Sequence, residues 1–556
     1  MSLKSITNID NTDIIIHINN KILPLTNFEE DEYFGIIKTK ISKTKLIKTP
    51  TFLLFTIDKT SSMSESASGR STKMNHVIQT FVNMMKYLST LDTEIYIQVN
   101  TFNTEVEILV ECLRITHENV EAIINKIKNI TTYGSTNIGE ALQFANETLT
   151  NYEKENESHQ IAHIFMTDGD PTSGETSHKA LADMINEKFY NIFVGFGFNH
   201  NVTLLSMLGD KKNSEYQFVD NIENTSLIYG ETIHRFIYPA LKDVELRIEN
   251  GLIYDWQTNT WTTKITESII IGEIEKVHHI KTKDPIGVSV SIFGRIASMP
   301  YDFNTNEQGN DIDLNNKIHL LETATIIPYL IDMETNNIIS DDLTKYAFRQ
   351  KVQELLFEAR NYSSSKRGEK ENYKKSLKNV FRIIRKYMRI NNLEDDGLLN
   401  MLCDDIHIMY RTVGSHYGEL YAVSRHTSQG RQRTYNTNSL KSNGVEDDFD
   451  NLISRKFPQT PKLSRSMSIP HHITDPFNIK DSADIINDDP FYKYKESGLF
   501  VPPDNNSKDQ IKDIYHDSDF IKEDEIDCYL SLDQITTCFA TPDILNTLKF
   551  MSQPSK

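Results

Sequence analysis

The sequence is short of cysteine, of basic charge and of long apolar runs, and each shortage closes off a class of protein. Its 556 residues include only four cysteines: Cys112, Cys403, Cys528 and Cys538. Their irregular spacing forms neither a CxxC pair nor a disulfide framework. That usage points to a reducing, intracellular compartment and away from an extracellular matrix or plasma protein. No apolar stretch approaches the ~18 residues of a membrane-spanning helix, and the N-terminus MSLKSITNIDNTD is too polar for a secretory leader. Lys and Arg number 59 against 78 Asp and Glu, a formal charge of −19. Nucleic-acid binding needs a basic face for phosphate, so this balance argues against it. The local run of Lys366, Arg367, Lys374, Lys375 and Arg382 reads as a solvated helix face. GxSxG and HExxH are absent, and SGRSTK (68–73) lacks the two-glycine frame of a P-loop. No general base, nucleophile or second metal site is legible, so a binding protein is expected rather than an enzyme.

The length exceeds one hydrophobic core, which implies roughly two to four domains. Heavy use of Asn, Ile, Lys and Asp, as in NIDNTDIIIHINNK, reflects an AT-rich coding genome and carries no fold information. Residues 1–50 contain two strand-like segments, DIIIHI and YFGIIKTKI, rich in β-branched and aromatic side chains. From 51 to 241 apolar strand runs alternate with helical periodicity. TFLLFTI and QIAHIFMT read as strands buried on both faces, while HVIQTFVNMMKYL and IGEALQFANETL read as helices. The series closes on an expected helix over NTSLIYGETIHRFIYPAL. Such alternation predicts an α/β doubly wound, mostly parallel sheet. Residues 242–340 return to strand texture, as in WTTKITESIIIGEI, and form a β-rich unit on which the N-terminal strands are expected to pack. Residues 341–430 form a helical domain, with three amphipathic segments suited to a small antiparallel bundle. Residues 431–556 are polar, acidic and turn-rich, and read as a largely disordered tail.

Polar residues suited to holding a metal ion concentrate in three places. FTIDKTSSM ends a strand and supplies Asp58, Thr60 and Ser62. YGSTNIGEAL supplies Thr136 at the entry to a helix. IFMTDGDPTSG supplies Asp168 at the end of another strand. In a doubly wound sheet all three loops gather at the carboxyl ends of the parallel strands, where ligands bind. Each motif alone is weak, because Ser, Thr and Asp are common turn residues. The three together, in this order, are specific.

Their order resembles the von Willebrand factor A (VWA) family, whose metal-ion-dependent adhesion site uses D-x-S-x-S, a Thr in a Gly-rich second loop and a T-D-G third loop. The resemblance covers about Thr51–Leu241, with Thr60 standing where Ser is commoner. It implies a Rossmann-like VWA fold and a site for Mg²⁺, or for Mn²⁺ or Ca²⁺. Thr60, Ser62 and, in the ligand-bound state, Thr136 would coordinate through hydroxyls, while Asp58 and Asp168 would hold metal-bound waters or exchange into contact. A metal with few direct anionic ligands stays electrophilic, so a partner's Asp or Glu can complete its shell. The implied role is an intracellular scaffold or adaptor. Two other readings stay open: a metal-assisted enzyme or ubiquitin-pathway component, and a structural protein whose metal only stabilises it.

The layout is also similar to that of intracellular VWA proteins, some of which carry a RING finger and act as ubiquitin ligases. This chain has no Cys/His array for that activity. It further resembles uncharacterised VWA proteins of giant DNA viruses, which would place it in a host cell or virion. Cys403 and His407, one helical turn apart, read as helix packing, and His278–His279 and His471–His472 as surface residues. RSMSIP (465–470) matches the pattern that 14-3-3 proteins read once Ser468 is phosphorylated.

Overall fold

The computed structural model describes residues 12–18, 32–41, 49–68, 71–197, 200–219, 225–272, 274–284, 287–296, 319–325, 331–332, 337–338, 343–360, 367–414 and 416–433. His471–His472, Ser468 and the acidic segment from 434 onward lie outside them.

A six-stranded sheet forms the centre. Its order is Ser214–Val219, Tyr190–Phe196, Gln160–Thr167, Thr51–Asp58, Ile95–Phe102 and Val106–Arg114. The first five strands run parallel and the last is antiparallel to its neighbour. The apolar runs over Thr51–Asp58 and Gln160–Thr167 are continuous because both faces are covered: every residue of each strand is buried. Leu53, Phe55 and Ile57 point into one core, with Phe81 of helix Lys73–Thr90 edge-on to Phe55 at 5.1 Å. Phe52 and Leu54 point the other way, towards Ala145 and Leu149 of helix Ile138–Glu155. Each fully buried side chain of this size contributes roughly 1.5–3 kcal/mol.

The expected closing helix runs over Thr225–Ile237 and stops there. Pro239 offers no N–H and disfavours helix at the residue before it, and Pro239–Glu249 instead begins a new antiparallel sheet. The α/β unit therefore ends before the expected Leu241. The new sheet has the order Lys264–Ile271, Pro239–Glu249, Ser289–Ile296, His319–Thr325. Another sheet joins Thr12–Ile18, Tyr33–Ile41, Glu275–Thr282, Leu252–Asp255 and Thr260–Thr262 in that order. N-terminal strand Tyr33–Ile41 pairs along its length with Glu275–Thr282. The strand-like segment over 261–274 contributes to two strands. Thr260–Thr262 and Lys264–Ile271 belong to different sheets, and the chain crosses over at Thr263, whose carbonyl accepts from Ile248 N–H.

His278 and His279 are buried, contrary to the surface reading, because both faces of their strand are covered. Pleating sends them to opposite sides. His278 lies 3.8 Å from Glu267 of the neighbouring sheet, while His279 Nδ1 meets Gln350 Oε1 at 2.6 Å on helix Thr344–Ala359.

The helical region holds Thr344–Ala359, Arg367–Asn391, Gly397–Thr412 and a fourth helix, His416–Arg431, that its weak apolar periodicity concealed. Two glycines let the fourth helix approach its neighbours. A Cβ on Gly418 would lie 2.3 Å from the Thr412 carbonyl, and one on Gly430 would lie 2.0 Å from the Trp256 ring. Cys403 is packed in this core. The fold continues past 430: Gln432 bonds both the N–H and the carbonyl of Val277.

Candidate metal centre

The first loop leaves strand Thr51–Asp58 and turns through a short 3₁₀ helix, Ser61–Ser64, anchored in the core by Met63. Asp58 is fully buried, and both its oxygens are held: Thr60 N–H donates to Oδ1 at 2.8 Å and the Thr167 hydroxyl to Oδ2 at 2.6 Å. Burial pushes its carboxyl up to about 6; these hydrogen bonds pull against the shift and Asp168 adds to it. A carboxylate kept out of water at such a cost suits a site that receives a cation.

The second loop is tied to the first at several points. Tyr133 N–H donates to the Lys59 carbonyl and Ser61 N–H to the Gly134 carbonyl. Gly134 has φ 85°, where a side chain is strained, and a Cβ there would press on Asn103. Asn137 caps helix Ile138–Glu155 by accepting from Glu140 N–H at 3.2 Å, which fixes where Thr136 enters. The third loop closes on the second: the Thr172 hydroxyl accepts from Thr136 N–H at 2.8 Å, and Thr172 and Ser173 N–H both donate to the Thr136 carbonyl.

These ties bring the five candidate side chains together. Thr60 Oγ1 and Ser62 Oγ lie 3.0 Å apart, and Ser62 donates to Asp168 Oδ1 at 2.6 Å. Gly169 leaves the floor open: a Cβ there would lie 3.5 Å from Thr136 Oγ1 and 3.7 Å from Ser62 Oγ. The donor set is three hydroxyls and two buried carboxylates, all hard oxygen, and it fits a hard divalent cation. Among the described residues no group of three or more His, Cys, Asp or Glu converges elsewhere to hold a metal.

Lys73 is the residue that the motif reading left without a role. It begins helix Lys73–Thr90, where a cation opposes the helix dipole, and it is stabilised there by two carboxylates. Its Nζ donates to Asp168 Oδ2 at 2.6 Å and to Glu65 at 2.8 Å. Burial works against its charge, but Asp168 and Glu65 outweigh that and hold its pKa above the usual lysine value. Thr167 was visible in the T-D-G string, but its grip on Asp58 needed the fold.

The sheet order, with helices on both faces, is that of the von Willebrand factor type A fold. Residues 53–230 match the model of that family, described as the von Willebrand factor type A domain. Mouse inter alpha-trypsin inhibitor heavy chain 4 is 26% identical over 239 residues, covering 40% of this chain and 24% of its own. The chain thus spans about a quarter of the length of the curated relatives it matches. Among solved structures, a von Willebrand factor type A protein from Catenulispora acidiphila has TM-score 0.48 at 12% identity, covering 70% of this chain and 89% of its own. Proximal thread matrix protein 1 of the mussel byssus, solved with a zinc-occupied metal-ion-dependent adhesion site, has TM-score 0.27 at 16% identity, covering 34% and 46%. Domains of this class generally mediate protein–protein interaction, often bind a divalent metal, and are generally not enzymes.

Proposed function

We propose that this protein is a divalent-metal-dependent protein-binding module, acting inside the cell as a scaffold or adaptor. Asp58, Thr60, Ser62, Thr136 and Asp168 hold the cation, and an Asp or Glu of the partner completes its shell. The observation that carries this reading is the donor set: hydroxyls outnumber carboxylates, and Lys73 already offsets part of the charge on Asp168. A bound cation would supply an electrophilic centre with little anionic charge around it, suited to taking one more carboxylate. Thr167 and Thr60 N–H fix the orientation of Asp58, and Thr172 fixes the backbone of Thr136. Ser62 and Asp168, the hydroxyl and carboxylate that meet in the site, are both committed to the cation in this reading, so recognition is favoured over turnover.

The test is calorimetry with Mg²⁺, Mn²⁺, Ca²⁺ and Zn²⁺, paired with affinity capture in Mg²⁺ or EDTA. Asp58→Ala should lose the metal-binding heat and the partner together. Thr136→Ala should keep most of the heat and lose the partner, and one Asp or Glu of the partner should be indispensable. Metal binding by Asp58→Ala equal to wild type, or capture that survives EDTA, would overturn the reading.

A further inference from the structure

The opposite edge of the central sheet carries a second polar site that the metal centre does not use. A cleft of about 460 Å³ opens where the α/β unit, the Pro239–Glu249 sheet and the end of the fourth helix meet. Three arginines from two distant parts of the chain, Arg235 and the pair Arg431 and Arg433, converge there on Glu215 Oε2. Arg433 donates to it directly, Arg431 Nη1 stands at 3.6 Å and Arg235 Nη1 at 3.9 Å. The other Glu215 oxygen accepts from Gln217 at 2.7 Å, so a single carboxylate is shared among four donor side chains.

Donors remain. Arg433 Nε and Nη1, Arg431 Nε and Arg235 Nη1 are buried with no hydrogen-bond acceptor among the described residues. The other acids on the wall have their own cations: Glu267 pairs with Lys276, Asp243 with Arg295, Asp210 with Arg360 and Glu245 with Arg247. Glu231, one turn from Arg235 on the same helix, supports the charge of that arginine. His278, held neutral by burial at about 4, adds no positive charge and no carboxylate. Buried cations therefore outnumber the carboxylates that face them. Buried donors left without acceptors are costly, and more so when charged. The strain shows in the side chains: burial, with the neighbouring arginines, pushes Arg235 down to about 10 and Lys276 to about 8.

We propose that this cleft binds a small phosphate-bearing anion, gripped by Arg235, Arg431 and Arg433. Three forked guanidiniums, one from helix Thr225–Ile237 and two from the end of helix His416–Arg431, suit a tetrahedral oxyanion, which accepts on several sides, better than a planar carboxylate. The volume is that of a small-molecule site. Because the donors come from the α/β unit and from the last helix, an anion here would lock those layers together.

The test uses the full chain in EDTA, which silences the metal centre, titrated with sodium pyrophosphate and, separately, with citrate and with NaCl at matched ionic strength. Pyrophosphate should bind saturably and raise the unfolding temperature, since a ligand of the folded state stabilises it. Citrate should bind more weakly, and Arg431→Gln should weaken pyrophosphate about tenfold. Arg431 is the most exposed of the three, so this variant keeps the question open if Arg433→Gln fails to fold. No saturable binding, binding unchanged in Arg431→Gln, or an equal effect of NaCl would overturn the proposal. So would pyrophosphate binding that emerges only after Glu446, Asp447 and Asp448 are changed to Asn, because the chain's own acidic run would then be the occupant.

Discussion

The two edges of the central sheet solve opposite charge problems by opposite means. At the carboxyl edge, hydroxyls and two carboxylates gather within three loops, and Lys73 reaches in from the next helix to hold Asp168. At the amino edge, where Ser214–Val219 and Tyr190–Phe196 begin, the surplus is positive, and one carboxylate faces three guanidiniums. The first site is assembled from neighbours in one unit and tolerates change, because loops at a strand edge carry little of the core. The second is assembled from elements more than two hundred residues apart in the chain, as the Glu215–Arg433 contact shows. Damage there should spread across layers.

The sharpest way to break that contrast is Glu215→Gln. Arg433, Arg431 and Arg235 hold its carboxyl at about 2 against the burial that would raise it. Removing one partner of a buried ion cluster strands the others, and a loss of about 3–5 kcal/mol in urea unfolding is expected. A loss below about 1 kcal/mol would mean that the cluster is solvated and the contrast false.

Acid should act next, through buried neutral histidines in and beside the amino half of the sheet. His163, bonded to Thr56 and Asn191 inside the central sheet, is pushed down to about 4 by burial. His278 at the amino-edge cleft is likewise held at about 4. Because these folded-state values lie below the unfolded value near 6.5, the unfolded chain takes up the protons first. Their stabilisation is full above about pH 6.5 and is lost as pH falls to about 4, about 3 kcal/mol for each. A pH series of unfolding midpoints, repeated with His163→Gln, should show a shallower loss in the variant. Parallel curves would remove His163 from the account.

The smallest effect belongs to Lys73→Met. Removing a positive charge beside Asp168 should tighten divalent binding roughly tenfold, with the fold intact. Weaker binding in calorimetry would show instead that Lys73 positions Asp168, and the two edges would then be more alike than proposed.

The legibility of the two edges in the sequence differs for the same reason. Asp58, Thr60, Ser62, Thr136 and Asp168 were readable because each sits in a short string whose neighbours announce a strand end or a helix start. Lys73 follows the first string closely, yet nothing local says that its ammonium turns back onto Asp168. His278 and His279 were misplaced because alternation along a strand cannot report that both faces are covered. The fourth helix escaped notice because its packing depends on glycines at 418 and 430 rather than on an apolar stripe.

By itself the sequence determined the alternating strands and helices, the continuous apolar runs of a sheet buried on both faces, and the three loops that meet at its carboxyl edge. Those are local patterns, each legible from the period of its own side chains and the turn residues that bound it. Only the tertiary structure decided the split of 260–271 between two sheets, the meeting of Glu215 with Arg235, Arg431 and Arg433, and the burial of paired histidines. Each of these depends on which surfaces exclude water together, and that is set by packing between distant segments and not by the order of residues within any one of them.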